Sequence, residues 1–234
     1  WAGYAIVGAR YPMIKATDWV RNPEGKIIVD PVTGLPKAGD IVAVGTSDPT
    51  VRIGLNSVMK WKGFSLAATF DYRGGHYTRP SSEYNMLFTG ASYISGISGR
   101  QRFVFPNSVI EETDASGNVT YRENTDITVN DAGKTFWNGI YKQGRANQII
   151  SAASWRLREL SLGYDVPKKY LKKVGFLQRA SVSLVGRNLF MWTPSTNIWG
   201  DPDFTGSGNG NVGGFSGTNN VGQRSYGFNL LLSF

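Results

Sequence analysis

The sequence lacks several residue types, and each absence removes a class of function. Its 234 residues include no cysteine, which excludes disulfides, thiolate metal sites and thiol catalysis. A single histidine, His76, excludes a multi-histidine metal centre within the chain and disfavours a Ser-His-Asp triad. Charged residues are only 18% of the chain, and no apolar run approaches the roughly 18 residues of a membrane-spanning helix. We therefore predict that the chain is not an enzyme and uses no metal or cofactor.

Glycine, aromatic residues and positive charge are abundant instead. The chain has 29 glycines and 13% aromatic residues, which indicate many turns and an unusual surface. The formal net charge of +8 is compatible with nucleic acid or an anionic membrane as a partner. The chain begins at Trp1 without a signal-peptide pattern, so we expect the protein to continue upstream.

Alternation of apolar and polar residues is the strongest pattern, and it predicts strands with one apolar and one polar face. The predicted strands are residues 51–61, 64–73, 153–165, 178–192 and 222–234, with 4–11 as a weaker candidate. Trp155 and Leu157 are out of phase with Leu160, which predicts a bulge. Residues 61–63 predict a hairpin turn, and 166–176 predict a short connection with one helical turn. The sequence therefore predicts an all-β protein of about six strands.

Long connections alternate with these short ones. Residues 12–50, 74–150 and 193–221 are rich in Gly, Asn, Asp, Ser and Thr, and connections this long are usually functional. Short turns at one end and long loops at the other are typical of an outer-membrane β-barrel, whose outer face needs an apolar band. A soluble β-sandwich acting as a carbohydrate-binding or adhesion module is the alternative, and a basic nucleic-acid-binding domain is a third. Neither explains the loop asymmetry or the aromatic Phe234.

Several motifs occur in a fixed order along the chain. They are KGFSL (62–66), DYRGG (71–75), SWRLRELSLGY (154–164), GRNLF (186–190), DPD (201–203) and RSYGFNLLLSF (224–234). Together they resemble the SusC/RagA family of TonB-dependent outer-membrane transporters. The resemblance implies a transmembrane antiparallel β-barrel. Residues 1–234 would form its C-terminal portion, the last six or so strands of a large plugged barrel of about 22 strands, without the plug.

The same resemblance implies a function and a location. The protein would lie in the outer membrane of a Gram-negative cell, in contact with lipid, with its short turns periplasmic and its long loops extracellular. It would import oligomeric nutrients, glycans first and peptides second, together with a SusD-like surface lipoprotein. The TonB energy-coupling complex would act through the plug region. Phe234 resembles the family's barrel-assembly signal, and no nucleic acid is expected as a partner.

Candidate site residues fall into two groups. Those expected to contact an oligosaccharide or peptide from the external loops are Trp137, Asn138, Tyr141, Trp199 and Asp201. Those expected to face the barrel lumen are Arg52, Asn56, Arg179, Ser183 and Arg187. The loop aromatics could alternatively pack the loops together or against a partner, and Asp201 with Asp203 could bind calcium or form a solvated turn. The lysines between 168 and 173 are expected to face lipid headgroups.

Overall fold

The structure is a computed structural model that describes residues 3–99, 101–131, 133, 135–173, 175–203, 215–216 and 222–234. Its strands are β1 (Met13–Trp19), β2 (Ile27–Val29), β3 (Ala38–Thr46), β4 (Val51–Trp61), β5 (Phe64–Gly74), β6 (Tyr77–Pro80), β7 (Ser108–Thr113), β8 (Val119–Glu123), β9 (Ile150–Ser151), β10 (Ser154–Asp165), β11 (Arg179–Trp192), β12 (Phe215–Ser216) and β13 (Ser225–Ser233). Its helices are α1 (Ser81–Thr89), α2 (Tyr93–Gly96), a π-helical turn (Phe136–Ile140), a 3-10 helix (Tyr141–Gln148) and α3 (Lys168–Leu171). Within the described ranges, no helix has the length and apolar character needed to cross a membrane.

The chain divides into two compact units. The sheet unit comprises Pro49–His76, Ser151–Phe204 and Asn220–Phe234, and the loop unit comprises Trp1–Asp48, Tyr77–Ile150 and Thr205–Asn219. In the sheet unit, five antiparallel strands follow the order β13-β11-β10-β5-β4. The prediction of a predominantly β structure is confirmed.

Local features of the five-stranded sheet follow the sequence pattern. The β4–β5 hairpin turns at Lys62 and Gly63, which both adopt positive φ, at 45° and 91°. The predicted bulge is present, since the register of β10 shifts between Leu157 and Glu159 against both neighbouring strands. The predicted helical turn is α3, which begins after Pro167. Pro167 carries no donor that the start of a helix would leave unsatisfied.

The loop unit has its own core and its own small sheets. β1 pairs with β3, and β7 pairs with β2 in parallel and β8 in antiparallel orientation. The buried cluster of this unit consists of Val29 of β2, Ile110 of β7, Phe105, Val129 and Phe136. Partly buried aromatic side chains, including Trp137 and Tyr141, pack against this cluster.

Two expectations about the elements are wrong. Residues 4–11 form no strand, and Tyr4 forms an isolated bridge with Met13, so among the described residues the main sheet has five of the six predicted strands. Residues 12–50 and 74–150 are not plain loops, because they contain β1 to β3 and β6 to β8. These strands are mostly short and gain their stability from packing that a two-residue period does not reveal. The rest of the predicted 193–221 loop beyond Asp203, except residues 215–216, lies outside the described residues.

Candidate functional site

Every strand of the five-stranded sheet directs apolar side chains to the same face. Residues that pair directly across antiparallel strands share a face, so the register defines complete rows. One such row crosses all five strands and consists of Met59, Leu66, Leu162, Leu184 and Phe228. The bulge in β10 preserves this arrangement. Odd-numbered residues of β10 lie on the apolar face before the bulge, and even-numbered residues lie on that face after it.

This apolar face is open. Side chains such as Leu55, Trp192 and Tyr226 are between 52% and 76% exposed. Soluble monomers rarely expose a contiguous apolar surface of more than a few hundred Å². The outer strands β4 and β13 each have a single neighbour among the described strands, so both sheet edges are also open. A surface of this kind requires an apolar medium or a covering partner.

The opposite face carries the residues predicted to face a lumen. Asn56 pairs with Thr69, Thr69 with Glu159, and Glu159 with Arg187, to which it also forms an ion pair at 3.0 Å. The structure places all five predicted residues on this polar face: Arg52, Asn56, Arg179, Ser183 and Arg187. That the polar face lines a lumen stays a prediction.

A network of arginines and aspartates covers one part of the polar face. Its members are Asp71 and Arg73 from β5, Arg156 and Arg158 from β10, and Asp201 and Asp203 from the segment after β11. The Arg156 side chain is only 7% exposed and donates to both carboxylate oxygens of Asp201, one of them at 2.6 Å. Such two-point contacts are the strongest and most directional ion pairs in proteins.

Asp203 extends the network across two strands. Its carboxylate accepts from Arg158 at 3.0 Å and lies 3.2 Å from Arg73 and 3.3 Å from Arg156. Burial alone raises the pKa of Asp201, but hydrogen bonds from Arg156 and from the Asp203 backbone outweigh it and hold that pKa below its usual value. Asp201 is therefore ionised at neutral pH, and the arginine contacts of Asp201 and Asp203 hold residues 193–203 on the sheet.

A cavity of about 320 Å³ lies beside the network. Arg156, Arg158 and Asp201 supply its charged lining, and Phe190 and Met191 of β11 supply apolar lining. A cavity that combines apolar side chains with a few convergent polar groups has the general build of a ligand pocket. No group of three or more His, Asp or Glu side chains in the described part of the chain has an arrangement that would hold a metal ion.

The predicted ligand residues of the 136–141 segment lie inside the loop unit. Trp137 and Tyr141 pack on each other, with ring centroids 4.9 Å apart, and both contact Phe136 of the buried cluster. The Asn138 side-chain carbonyl accepts from the Tyr84 hydroxyl at 2.8 Å. The structure thus packs Trp137 and Tyr141 together and holds Asn138 by its hydrogen bond with Tyr84, while the contact of all three with a ligand stays a prediction.

The remaining predicted residues lie in the sheet unit. Trp199 is half-buried, and its backbone N–H donates to the Asn197 side chain at 3.2 Å. Asp201 is bound by Arg156, so any ligand that contacts this aspartate would share it with the network. Phe234 stacks on Phe176 at 5.9 Å between centroids. Its role as an assembly signal stays a prediction.

Sequence reasoning missed the arginine–aspartate network and one buried acid. Arg156 and Arg158, like Asp71 and Arg73, are spaced by two, which is the only sequence signal that they share a strand face. The acid is Glu83 of α1, which is 5% exposed. Burial raises its pKa to about 7 against the opposing effects of Arg79 and a Tyr141 hydrogen bond. No periodic pattern marks this position.

No protein-family model matches the sequence, and no curated protein matches it. Solved structures of the RagAB peptide importer match the fold, in a 'closed-closed' state (TM-score 0.56, 16% identity) and an 'open-open' state (TM-score 0.56, 18% identity). A structure of the RagAB peptide transporter matches with TM-score 0.58 at 16% identity. The chain has the fold of part of an importer chain. Each match covers 95% of this chain and 22–23% of the other, so this chain spans less than a quarter of their length. The resemblance to the SusC/RagA family is thereby supported at the level of fold.

Proposed function

We propose that the chain forms part of the barrel wall of a TonB-dependent outer-membrane importer of oligomeric nutrients. The observation that carries this proposal is the open apolar face of the five-stranded sheet, which lipid would cover. The polar face would then line the lumen, with Arg52, Asn56 and Arg187 exposed to passing substrate. Sequence outside this chain would pair with the edges of β4 and β13, because unpaired backbone groups in hydrocarbon cost several kcal/mol each.

The substrate and the partners are part of the same proposal. The sequence ranks glycans first and peptides second, while the solved structures with this fold are of a peptide importer and transporter. Both substrate classes therefore belong in an uptake test. The loop unit and residues 193–203 would lie outside the cell, where a SusD-like lipoprotein would meet them. This chain would take no part in covalent chemistry, and the TonB complex would act elsewhere in the protein.

Adjacent residues of β13 provide a matched test of the membrane assignment. Leu230 lies on the apolar face opposite Val182, and Asn229 lies on the polar face opposite Ser183. The chain contains no cysteine, so single Leu230→Cys and Asn229→Cys variants of the full-length protein, with any cysteine outside this chain replaced by serine, can each carry one spin label. In membranes, we expect the label at 230 to be accessible to oxygen dissolved in lipid. The label at 229 should be accessible to a water-soluble nickel complex.

The two outcomes separate the proposal from its alternative. Opposite accessibility at neighbouring positions supports a sheet between lipid and water. A label at 230 that neither oxygen nor the nickel complex reaches would instead indicate the buried core face of a soluble β-sandwich or adhesion module. Equal access of the nickel complex to both positions would indicate two water-exposed faces, and either result would overturn the proposal. Uptake of labelled oligosaccharides and oligopeptides by cells with and without the full-length protein then identifies the substrate class. The import role would be contradicted if cells took up neither class, or if uptake were the same with and without the protein.

A further inference from the structure

Basic side chains are concentrated at one end of the five-stranded sheet, where its strands are joined by turns. The connections at this end are residues 60–64 and 165–179, and we name them the turn edge. They lie side by side, since the Asp165 N–H donates to the Gly63 carbonyl at 2.8 Å. The turn edge has one acidic residue, Asp165, against seven basic residues: Lys60, Lys62, Lys168, Lys169, Lys172, Lys173 and Arg179. Arg179 pairs with Asp165 at 3.3 Å, so the lysines carry the excess positive charge.

Four of these lysines are displayed by a fixed turn. Leu171 is buried at 6% exposure and anchors α3, while the Val166 N–H donates to the Ala180 carbonyl at 2.9 Å. The Lys172 N–H donates to the Lys168 carbonyl at 3.1 Å, so the helical turn extends beyond α3. Lysines at i and i+4 then lie on the same side of the turn, where like charges repel and destabilise it. An anionic partner would remove that repulsion.

Exposed aromatic rings accompany the lysines. Trp61, Phe64, Tyr170 and Phe176 are between 49% and 68% exposed. The Lys62 ammonium lies 4.9 Å from the Trp61 ring centroid, and the Lys169 ammonium lies 4.8 Å from that of Tyr170. Aromatic rings and lysines combine in this way at membrane interfaces, where the rings lie at headgroup depth and the ammonium groups reach the phosphates.

Charge distinguishes the turn edge from the rest of the polar face. The network on that face is balanced, with three arginines and three aspartates in mutual contact. The turn edge has no such balance, and its unpaired positive charge lies where the apolar face ends. We propose that the turn edge binds the headgroups of anionic phospholipids in the leaflet that it touches, through the lysines of residues 168–173 and the neighbouring aromatic rings. This inference rests on the proposed function, because it requires the sheet to span a bilayer.

Lipid retention by the full-length protein tests the inference. The protein is purified in mixed micelles with equal amounts of phosphatidylglycerol and phosphatidylcholine, and the retained lipid is measured by mass spectrometry. We expect the wild type to retain phosphatidylglycerol preferentially, and the preference to fall by about tenfold or more when four lysines are replaced, because each lysine near an anionic surface contributes to binding. The test variant is K168Q/K169Q/K172Q/K173Q. The control variant, K15Q/K26Q/K37Q/K142Q, removes the same charge from the loop unit and should retain the preference.

Any of three retention results would overturn the inference. These are equal retention of the two lipids by the wild type, an unchanged preference in the test variant, and an equal loss in the control variant. Displacement of phosphatidylglycerol by inorganic phosphate at the same concentration would indicate a site for free anions and would also overturn it. The labels at 229 and 230 keep the two proposals apart. If they report a bilayer while the lysine variant retains its preference, only the turn-edge inference fails.

Discussion

Replacing Asp201 with asparagine tests whether the arginine–aspartate network holds residues 193–203 on the sheet. The change keeps the shape of the side chain and removes its charge, which leaves Arg156 with the Asp203 contact at 3.3 Å. The Arg156 side chain is 7% exposed, so water does little to compensate. Removing one partner of a buried ion pair costs about 3–5 kcal/mol. Because Asp203 remains, we expect the lower end, about 3 kcal/mol.

Hydrogen exchange of the full-length protein measures this effect locally. Amide exchange follows the free energy of local opening, and about 1.4 kcal/mol corresponds to a factor of ten. In Asp201→Asn, peptides covering 193–203 should therefore exchange about a hundredfold faster, while peptides from β10 change less.

Asp165→Asn is the matched control for Asp201→Asn. It removes the same charge from the Arg179–Asp165 pair, whose side chains are 63% and 57% exposed. Exposed pairs contribute about 0–1 kcal/mol, so exchange should rise by less than about fivefold. Unchanged exchange over 193–203 in Asp201→Asn, or an equal rise in the control, would refute the role assigned to the network.

Two further predictions concern the loop unit. Burial raises the pKa of Glu83 from 4.5 to about 7, so folding takes up a proton between these pH values and stability falls as pH rises through that window. Glu83→Gln should remove this pH dependence of stability in thermal unfolding measured from pH 4.5 to 7.5. The control Glu111→Gln, at an exposed position, should keep it. A pH dependence that persists in Glu83→Gln would contradict the raised pKa of Glu83. Gly144→Ala would place a Cβ against the Trp19 ring, closer than van der Waals contact allows, and should lower stability by about 1–3 kcal/mol through overpacking. Gly139→Ala meets no atom within 4 Å and should be tolerated; equal thermal midpoints for the two variants would contradict the packing described.

The main sheet was largely predictable because its signals are local. The two faces of a strand follow from the period of two, and the phase change near Leu160 located the bulge without any partner strand. The hairpin at Lys62 and Gly63 was equally visible, since residues 51–61 and 64–73 alternate on both sides of it. The prediction of a strand at residues 4–11 was wrong because a short alternating run forms a strand only when a neighbouring strand pairs with it.

The candidate site was much less predictable. Trp137 and Tyr141 were singled out for their chemistry, but only the packing of the loop unit explains their contact with Phe136. Glu83 carries no signal in the sequence, because its raised pKa arises from burial by elements that lie far along the chain. Short strands within a segment rich in glycine and asparagine likewise depend on tertiary contacts more than on composition.

The sequence by itself determined which side chains share a face, where the tight turns lie and where positive charge gathers, since these depend on neighbours a few residues away. Tertiary structure alone decided which charges meet. Arg156 and Asp201 are 45 residues apart in the chain, and Arg158 and Asp71 are 87 apart. Only strand register and the return of residues 193–203 onto the polar face bring them into contact. Local sequence patterns specify the strands and faces of the sheet, and long-range pairing specifies that residues 193–203 bind to its polar face.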